Sequence, residues 1–170
     1  MNRAELELQM MATARRRPGW ERLENIAKIL DMAGNRVLDI GIHGDIWPGG
    51  HKYMFKNATY ETLDIDPNVQ PTYVGDIRHT NFPDSIFDMV ILHSVLEHIM
   101  DGREKVYPEI IRILSPEGIA VLVIPSTLER ESEASRMVTY REVCDTLFSL
   151  GAEYSMDKLS DGNWFVEISK

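Results

Sequence analysis

The segment Val37-Leu38-Asp39-Ile40-Gly41-Ile42-His43-Gly44-Asp45 constrains the fold more than any other part of the chain. An apolar pair runs into an acid and then into a glycine-bearing loop. A second unit of the same build follows at Tyr60-Glu61-Thr62-Leu63-Asp64-Ile65-Asp66-Pro67. Two strands that each carry a carboxylate at the C-terminal tip suit a nucleotide-like ligand lying across the edge of a parallel sheet.

Hydrophobic periodicity sets out the other elements. Leu6, Met10 and Met11 share a face over residues 3–16, and Leu23, Ile26, Ala27 and Leu30 recur at helical spacing over 20–32. Strands are predicted at 37–40, 59–63, 72–74, 87–92 and 119–124, the last two apolar enough for burial on both faces. A helix is predicted from 101 to about 114, turned by Ser115-Pro116-Glu117-Gly118, and another over 139–150 with Thr139 as its N-cap and Gly151 as its stop. Residues 152–159 and 164–169 alternate in strand fashion around the turn Ser160-Asp161-Gly162-Asn163. Asn68-Val69-Gln70-Pro71 is too short, and too close to proline, to hold a full helix. The predicted order, β-α-β-(short)-β-β-α-β-α-β-β, indicates a mostly parallel sheet with helices on both faces and one strand of the final hairpin running antiparallel. All 170 residues are expected to form one domain, with helices in 1–34 as a lid and 36–170 as the core.

Charge narrows the functional classes. A net charge of −9 argues against nonspecific nucleic-acid binding, which needs a surplus of Lys and Arg. Arg15-Arg16-Arg17 is the one basic cluster and reads as a solvated helix end or an anion contact. The single cysteine, Cys144, permits no internal disulfide and fits a reducing compartment. Neither a secretory signal nor an 18-residue apolar run is present, so a cytoplasmic protein with no membrane span is expected. The five histidines lack ligand spacing, and no metal is expected.

Six motifs in order carry a family resemblance. They are Val37-Leu38-Asp39-Ile40-Gly41, Leu63-Asp64-Ile65-Asp66-Pro67, Gly75-Asp76, Phe82-Pro83-Asp84-Ser85-Ile86-Phe87-Asp88-Met89-Val90, Val95-Leu96-Glu97-His98-Ile99 and Ile113-Leu114-Ser115-Pro116-Glu117-Gly118. The chain resembles the class I S-adenosylmethionine-dependent methyltransferases, in particular small methyltransferase domains with Leu-Glu-His after the fourth strand. The resemblance spans about residues 36–170. It implies an α/β, Rossmann-like, doubly wound sheet of seven mostly parallel strands, with an antiparallel strand in the C-terminal hairpin. It also implies S-adenosylmethionine as cofactor.

By the same resemblance, Asp39 attracts the amino group of the methionine tail, and Gly41 and Ile42 let the backbone pass close to the cofactor. Asp64 accepts from the ribose hydroxyls beside Ile65, and Asp76 with the Ile77 amide meets the adenine. Leu92 and His93 face the methionine end. An oxygen acceptor of high pKa needs a base, for which His93 is the first candidate and His43 the second. His98, Tyr140 and Arg141 are candidate substrate contacts, and the polar stretch 126–138 reads as a loop over the site. The acceptor is expected to be a small molecule or a sugar, because no separate substrate domain fits in this length.

The loop Gly41-Ile42-His43-Gly44-Asp45 departs from the family's Gly-x-Gly-x-Gly, with His43 and Asp45 at glycine positions. Three outcomes follow: a rerouted loop, His43 turned toward substrate, or weakened cofactor binding. A catalytically degenerate binding module is therefore one alternative. A nicotinamide-dependent oxidoreductase is another, against which stands the absence of Gly-x-Gly-x-x-Gly.

Overall fold

The computed structural model describes residues 19–42, 50–125 and 136–170. The helix expected at 3–16, the cluster Arg15-Arg16-Arg17, the triplet His43-Gly44-Asp45 and most of the stretch 126–138 lie outside the described residues.

One sheet organises the chain. Its strands are β1 (Arg36–Ile40), β2 (Thr59–Asp64), β3 (Tyr73–Val74), β4 (Phe87–His93), β5 (Leu114–Ile124), β6 (Glu153–Lys158) and β7 (Trp164–Ser169). They lie in the order β3-β2-β1-β4-β5-β7-β6. Pairing is parallel from β3 through β5, and β7 runs antiparallel to both β5 and β6. This is the mostly parallel, seven-stranded arrangement the sequence predicts. The chain winds outward from β1 to β3 and then returns to place β4 on the other side of β1. That reversal opens a crevice at the C-terminal ends of β1 and β4.

Period-2 alternation divides the core into two layers. Val37, Met89, Ile91, Val121 and Val123 point to one face and meet Leu23 and Ala27 of α1 (Trp20–Leu30). Leu38, Ile40, Val90, Leu92, Ala120 and Leu122 point to the other. There they meet Val106 and Ile110 of α2 (Val106–Ile113) and Val143 and Leu147 of α3 (Tyr140–Ser149). Thr139 caps α3 as expected, its side chain accepting from the Glu142 amide at 3.1 Å. Each fully buried Leu or Ile of these layers contributes roughly 1.5–3 kcal/mol.

Three expectations need correction. A lid is expected from the helices in 1–34, yet α1 packs flat on the sheet because Leu23 and Ala27, a turn apart, are fully buried against β1 and β4. Its C-cap Asp31 then fixes the chain before β2, one carboxylate oxygen accepting from the amides of Lys56, Asn57 and Ala58. Second, no α-helix separates β1 from β2 among the described residues; a 3₁₀ turn at Lys52–Met54 stands there. Third, Ser115-Pro116-Glu117-Gly118 does not divide α2 from β5. Leu114 already pairs with Phe87, Ile119 pairs with Met89, and the residues between bulge out of the ladder. Between β2 and β3 the chain makes only a 3₁₀ turn at Pro67–Val69, opened by the Asp66 side chain accepting from the Asn68 amide at 2.9 Å.

The connection from β3 to β4 is held by one carboxylate. Glu109 on α2 accepts from the Thr80 amide at 2.8 Å and from Arg112 Nη2 at 2.7 Å. Arg112 also donates to the Phe82 carbonyl at 2.7 Å. The Arg112 hydrogen bonds lead the effects that hold the Glu109 carboxyl down at about 2; partial burial opposes them and Thr80 assists. A carboxyl whose pKa falls on folding contributes stability that is complete above its ordinary value of 4.5 and lost as pH drops toward about 2. Denaturant unfolding followed from pH 5 to pH 2 should therefore show a steeper loss of stability in the wild type than in Glu109→Gln.

Candidate active site

A cavity of about 510 Å³ lies at the C-terminal ends of the parallel strands. That volume is within the usual range for small-molecule sites. β1 contributes Ile40 and leads into Gly41 and Ile42; β2 contributes Leu63 and Asp64, followed by Ile65 and Asp66. The chain after β3 supplies Gly75, Asp76, Ile77 and Arg78, and the chain after β4 supplies Ser94, Val95 and His98. Of the residues expected to bind cofactor, Gly41, Ile42, Asp64, Ile65, Asp76 and Ile77 are brought together here.

Gly41 has φ +76°, a left-handed conformation that disfavours a side chain. A Cβ at this position would also come within 2.5 Å of the Val95 side chain. The wall is bare backbone at this point, and its amide is fixed by the Leu63 carbonyl at 2.9 Å. Asp64 Oδ1 accepts from the Asp66 amide at 2.8 Å, which orients the carboxylate at the tip of β2. Asp76 is clamped by Arg78, whose Nε lies 3.0 and 2.9 Å from its two oxygens. Those hydrogen bonds from Arg78 are the main cause of its lowered pKa, against a partial desolvation that raises it. Arg78 Nη1 donates in turn to the Asp101 carbonyl at 2.7 Å, tying the β3 end of the cavity to the segment before α2. In the Leu-Glu-His motif, Glu97 is buried and its carboxyl is pushed up by desolvation, whereas the His98 side chain is half exposed and lines the cavity.

The remaining expected residues stand elsewhere, including the candidate base His93, which ends β4 with its ring against His51 and Trp20 and does not line the cavity. Leu92 is 1% exposed and packs in the core beneath α2 and α3. Tyr140 and Arg141 are exposed at the start of α3, with the Tyr140 ring 5.0 Å from that of Trp164, and neither lines the cavity. His43 lies outside the described residues. Asp39 is only 2% exposed and does not line the cavity. The reason is alternation: Ile40 points to the cavity side of β1, so Asp39 points with Val37 to the α1 face.

On that face Asp39 joins a buried polar cluster. One of its oxygens, Oδ2, accepts from the His51 amide at 2.9 Å, from His51 Nδ1 at 2.9 Å and from the Tyr60 hydroxyl. Burial alone would raise the Asp39 carboxyl, but the His51 ring and the hydrogen bonds from His51 and Tyr60 outweigh it and hold the group below the ordinary range. Burial and the Asp39 charge push Tyr60 up, so it remains a donor. His51 Nε2 lies 3.2 Å from His93 Nδ1 at the end of β4. The Trp20 ring covers both histidines, with centroids 5.1 Å from His51 and 5.6 Å from His93. Trp20 itself donates to the Tyr53 hydroxyl. Sequence reasoning missed His51: it follows Gly49-Gly50 without any spacing that ties it to Asp39. Among the described residues no group of three or more His, Cys, Asp or Glu is placed to hold a metal, and no helix is long and apolar enough to cross a membrane.

A family model described as a methyltransferase domain matches residues 27–122. A search of curated proteins gives no match. Among solved structures, an S-adenosylmethionine-dependent methyltransferase from Archaeoglobus fulgidus superposes with a TM-score of 0.68 at 14% identity, over 88% of this chain and 92% of that one. The PH0226 protein of Pyrococcus horikoshii gives 0.65 at 16% identity, over 85% of each chain. Phosphoethanolamine N-methyltransferase 2 of Haemonchus contortus, in complex with S-adenosylmethionine, gives 0.61 at 21% identity over 83% of this chain; the match spans 39% of that protein. These likenesses establish a shared fold.

The bare wall at Gly41 is directly testable. Gly41→Ala should cost about 1–3 kcal/mol in chemical denaturation, from a forced left-handed alanine and overpacking against Val95. Adding Val95→Ala should recover part of that loss by relieving the contact.

Proposed function

The chain belongs to the S-adenosylmethionine-dependent class I methyltransferases, and from that membership we propose that it transfers a methyl group from S-adenosylmethionine to a hydroxyl of a small-molecule or sugar acceptor. The observation that carries the reading is the crevice at the β1–β4 reversal, walled by the Gly41 backbone and flanked by two carboxylates at successive strand tips. The residues fit the cofactor: a side chain at Gly41 would occupy the wall, and Asp64 has one oxygen engaged by Asp66 and a second with no hydrogen-bond partner among the described residues.

In this reading Asp64 accepts from the ribose hydroxyls, with Ile65 as an apolar neighbour. Asp76, held in place by Arg78, accepts from the adenine amino group, and the Ile77 amide donates to the ring. Gly41 and Ile42 admit the methionine portion past the end of β1. When bound, the cofactor supplies an electrophilic methyl group on a positively charged sulfur. His98, half exposed at the cavity rim, contacts the acceptor, whereas the His93 ring packs against His51 and Trp20 on the α1 face and does not line the cavity. Positioning the acceptor oxygen close to the methyl supplies much of the rate, because it converts an encounter between two molecules into a step within one complex.

A second reading, a binding module without catalysis, draws on the withdrawal of Asp39 from the cavity into its contacts with His51 and Tyr60. In that case the fold keeps the pocket but not the turnover.

Calorimetry with S-adenosylhomocysteine separates these readings from a protein that does not use the cofactor. Binding in the micromolar range is expected, and no binding at millimolar ligand would sink both. Asp64→Ala should weaken binding about 10- to 100-fold, the equivalent of losing one or two hydrogen bonds to a charged group. Slow decay of bound S-adenosylmethionine to S-adenosylhomocysteine with a methylated hydroxyl product, read by mass spectrometry, would favour catalysis over binding alone.

A further inference from the structure

We propose that Arg78 is a positioning residue that sets the base specificity of the cavity: by pinning the Asp76 carboxylate to the wall at Asp101 and Gly102, it makes the adenine end accept a base with an exocyclic amino group and reject one with a carbonyl in its place. This role rests on the methyl-transfer reading, which puts the ligand's base beside Asp76, and adds to it the residue that makes the contact selective.

The turn after β3 brings the two side chains together. The His79 amide donates to the Asp76 carbonyl at 3.1 Å, and the Arg78 amide donates to Asp76 Oδ1 at 2.9 Å. A turn closed in this way by an aspartate side chain folds the chain back on itself, so the guanidinium reaches the carboxylate two residues earlier. Arg78 Nε bridges both carboxylate oxygens, at 3.0 and 2.9 Å, and Nη2 donates to Oδ2. The other arm reaches the segment before α2, where Nη1 donates to the Asp101 carbonyl at 2.7 Å. Gly102 gives the Arg78 stem its bed: it holds φ +72°, and a Cβ there would lie 3.6 Å from Arg78 Cδ. Asp76, Arg78 and Asp101 all line the cavity.

Acceptor capacity decides the specificity. A carboxylate offers about four lone-pair positions. Three protons of Arg78, from its amide, Nε and Nη2, take up most of that capacity and leave room for one further donor. The Asp76 side chain is 34% exposed, so the remaining position is reachable from the cavity. Its direction is fixed, because a planar guanidinium held at both ends leaves the carboxylate no freedom to turn. The hydrogen bonds from Arg78 also keep the Asp76 carboxyl below the ordinary range, against partial desolvation, so at neutral pH the group accepts and does not donate. A base amino group donates to the open position. A carbonyl in its place sets lone pair against lone pair, a clash that a freely rotating carboxylate would relieve and a pinned one does not.

Calorimetry with S-adenosylhomocysteine and its deaminated analogue, S-inosylhomocysteine, tests this role without an acceptor. The wild type should prefer the amino ligand by about 100-fold, less than a fully buried site achieves because Asp76 keeps contact with water. Arg78→Met retains the stem over Gly102 and removes the guanidinium. It should weaken the amino ligand about tenfold and leave the carbonyl ligand within about twofold, so that the preference falls to about tenfold. Arg78→Lys should recover only part of the preference, because an ammonium is a point charge without the planar fork. Equal weakening of both ligands in Arg78→Met would make Arg78 a structural residue only. Tighter binding of the amino ligand would show that the guanidinium competes with the base for Asp76. Either result overturns the assignment. If the wild type binds neither ligand, the methyl-transfer reading fails and base specificity goes with it; binding with the same preference in wild type and variants removes the role of Arg78 alone.

Discussion

Burial of the Asp39 carboxylate organises the active end of this molecule. Moving such an ion out of water costs several kcal/mol even after relaxation. Each hydrogen bond to a charged group returns roughly 1.5–3 kcal/mol. Several such donors offset the cost, and three are present: the His51 amide, the His51 ring and the Tyr60 hydroxyl. Meeting that demand pulls the chain at 50–54 onto the sheet, where Gly50, at φ +55°, sits so close to Asp39 and Tyr60 that a side chain would collide with both. It also places His51 against His93 and beneath Trp20. One buried charge thereby joins β1, β2, β4 and α1 at a single point.

Strand alternation explains why that point is separate from the cavity. Successive residues on β1 face opposite sides, so Asp39 and Ile40 cannot both serve the same pocket. The cavity takes Ile40 and the backbone beyond it; the α1 face takes Asp39. His93 keeps to the Asp39 side because it follows Met89 and Ile91 at intervals of two, whereas Leu92 goes into the core under α2 and α3. The two halves meet where β4 ends and Ser94, at φ +56°, turns the chain into the cavity wall.

The elements were legible where one physical signal dominated. Continuous apolar runs located β1 and β4, alternation located β7, and a turn residue with an N-cap bounded α3, because local chemistry decides those features. β5 was misread at its start: Ser115-Pro116-Glu117-Gly118 has the composition of a turn, and only pairing with Phe87 makes it part of a strand. In the site, Gly41, Asp64 and Asp76 were readable because each sits at a strand tip, where topology alone assigns the neighbourhood. Asp39 was legible as important but not as buried beside a histidine, since its partner comes from a loop return whose path no local pattern encodes. His51 had no signal at all. Tyr140 was read from its place after β5, but its ring packs on Trp164 across the C-terminal hairpin, a contact formed only when β7 inserts between β5 and β6.

The charge around the cavity favours one class of ligand over another that also suits strand-tip carboxylates. Asp64, Asp66, Asp76 and Asp101 all line it, and Arg78 is the one arginine or lysine among the described lining residues, already engaged by Asp76. A dinucleotide would bring a pyrophosphate into this rim, and anions of that kind need backbone amides at a helix N-terminus or unpaired cations. The described wall offers instead two glycines, Gly41 and Gly75, whose amides are spent on the Leu63 and Asp64 carbonyls. A ligand with a ribose, an adenine, an amino group and a cationic sulfur carries donors and positive charge, which suit an acidic rim of this kind. The same acidic rim that disfavours a nicotinamide cofactor is thus the physical reason that a sulfonium cofactor fits.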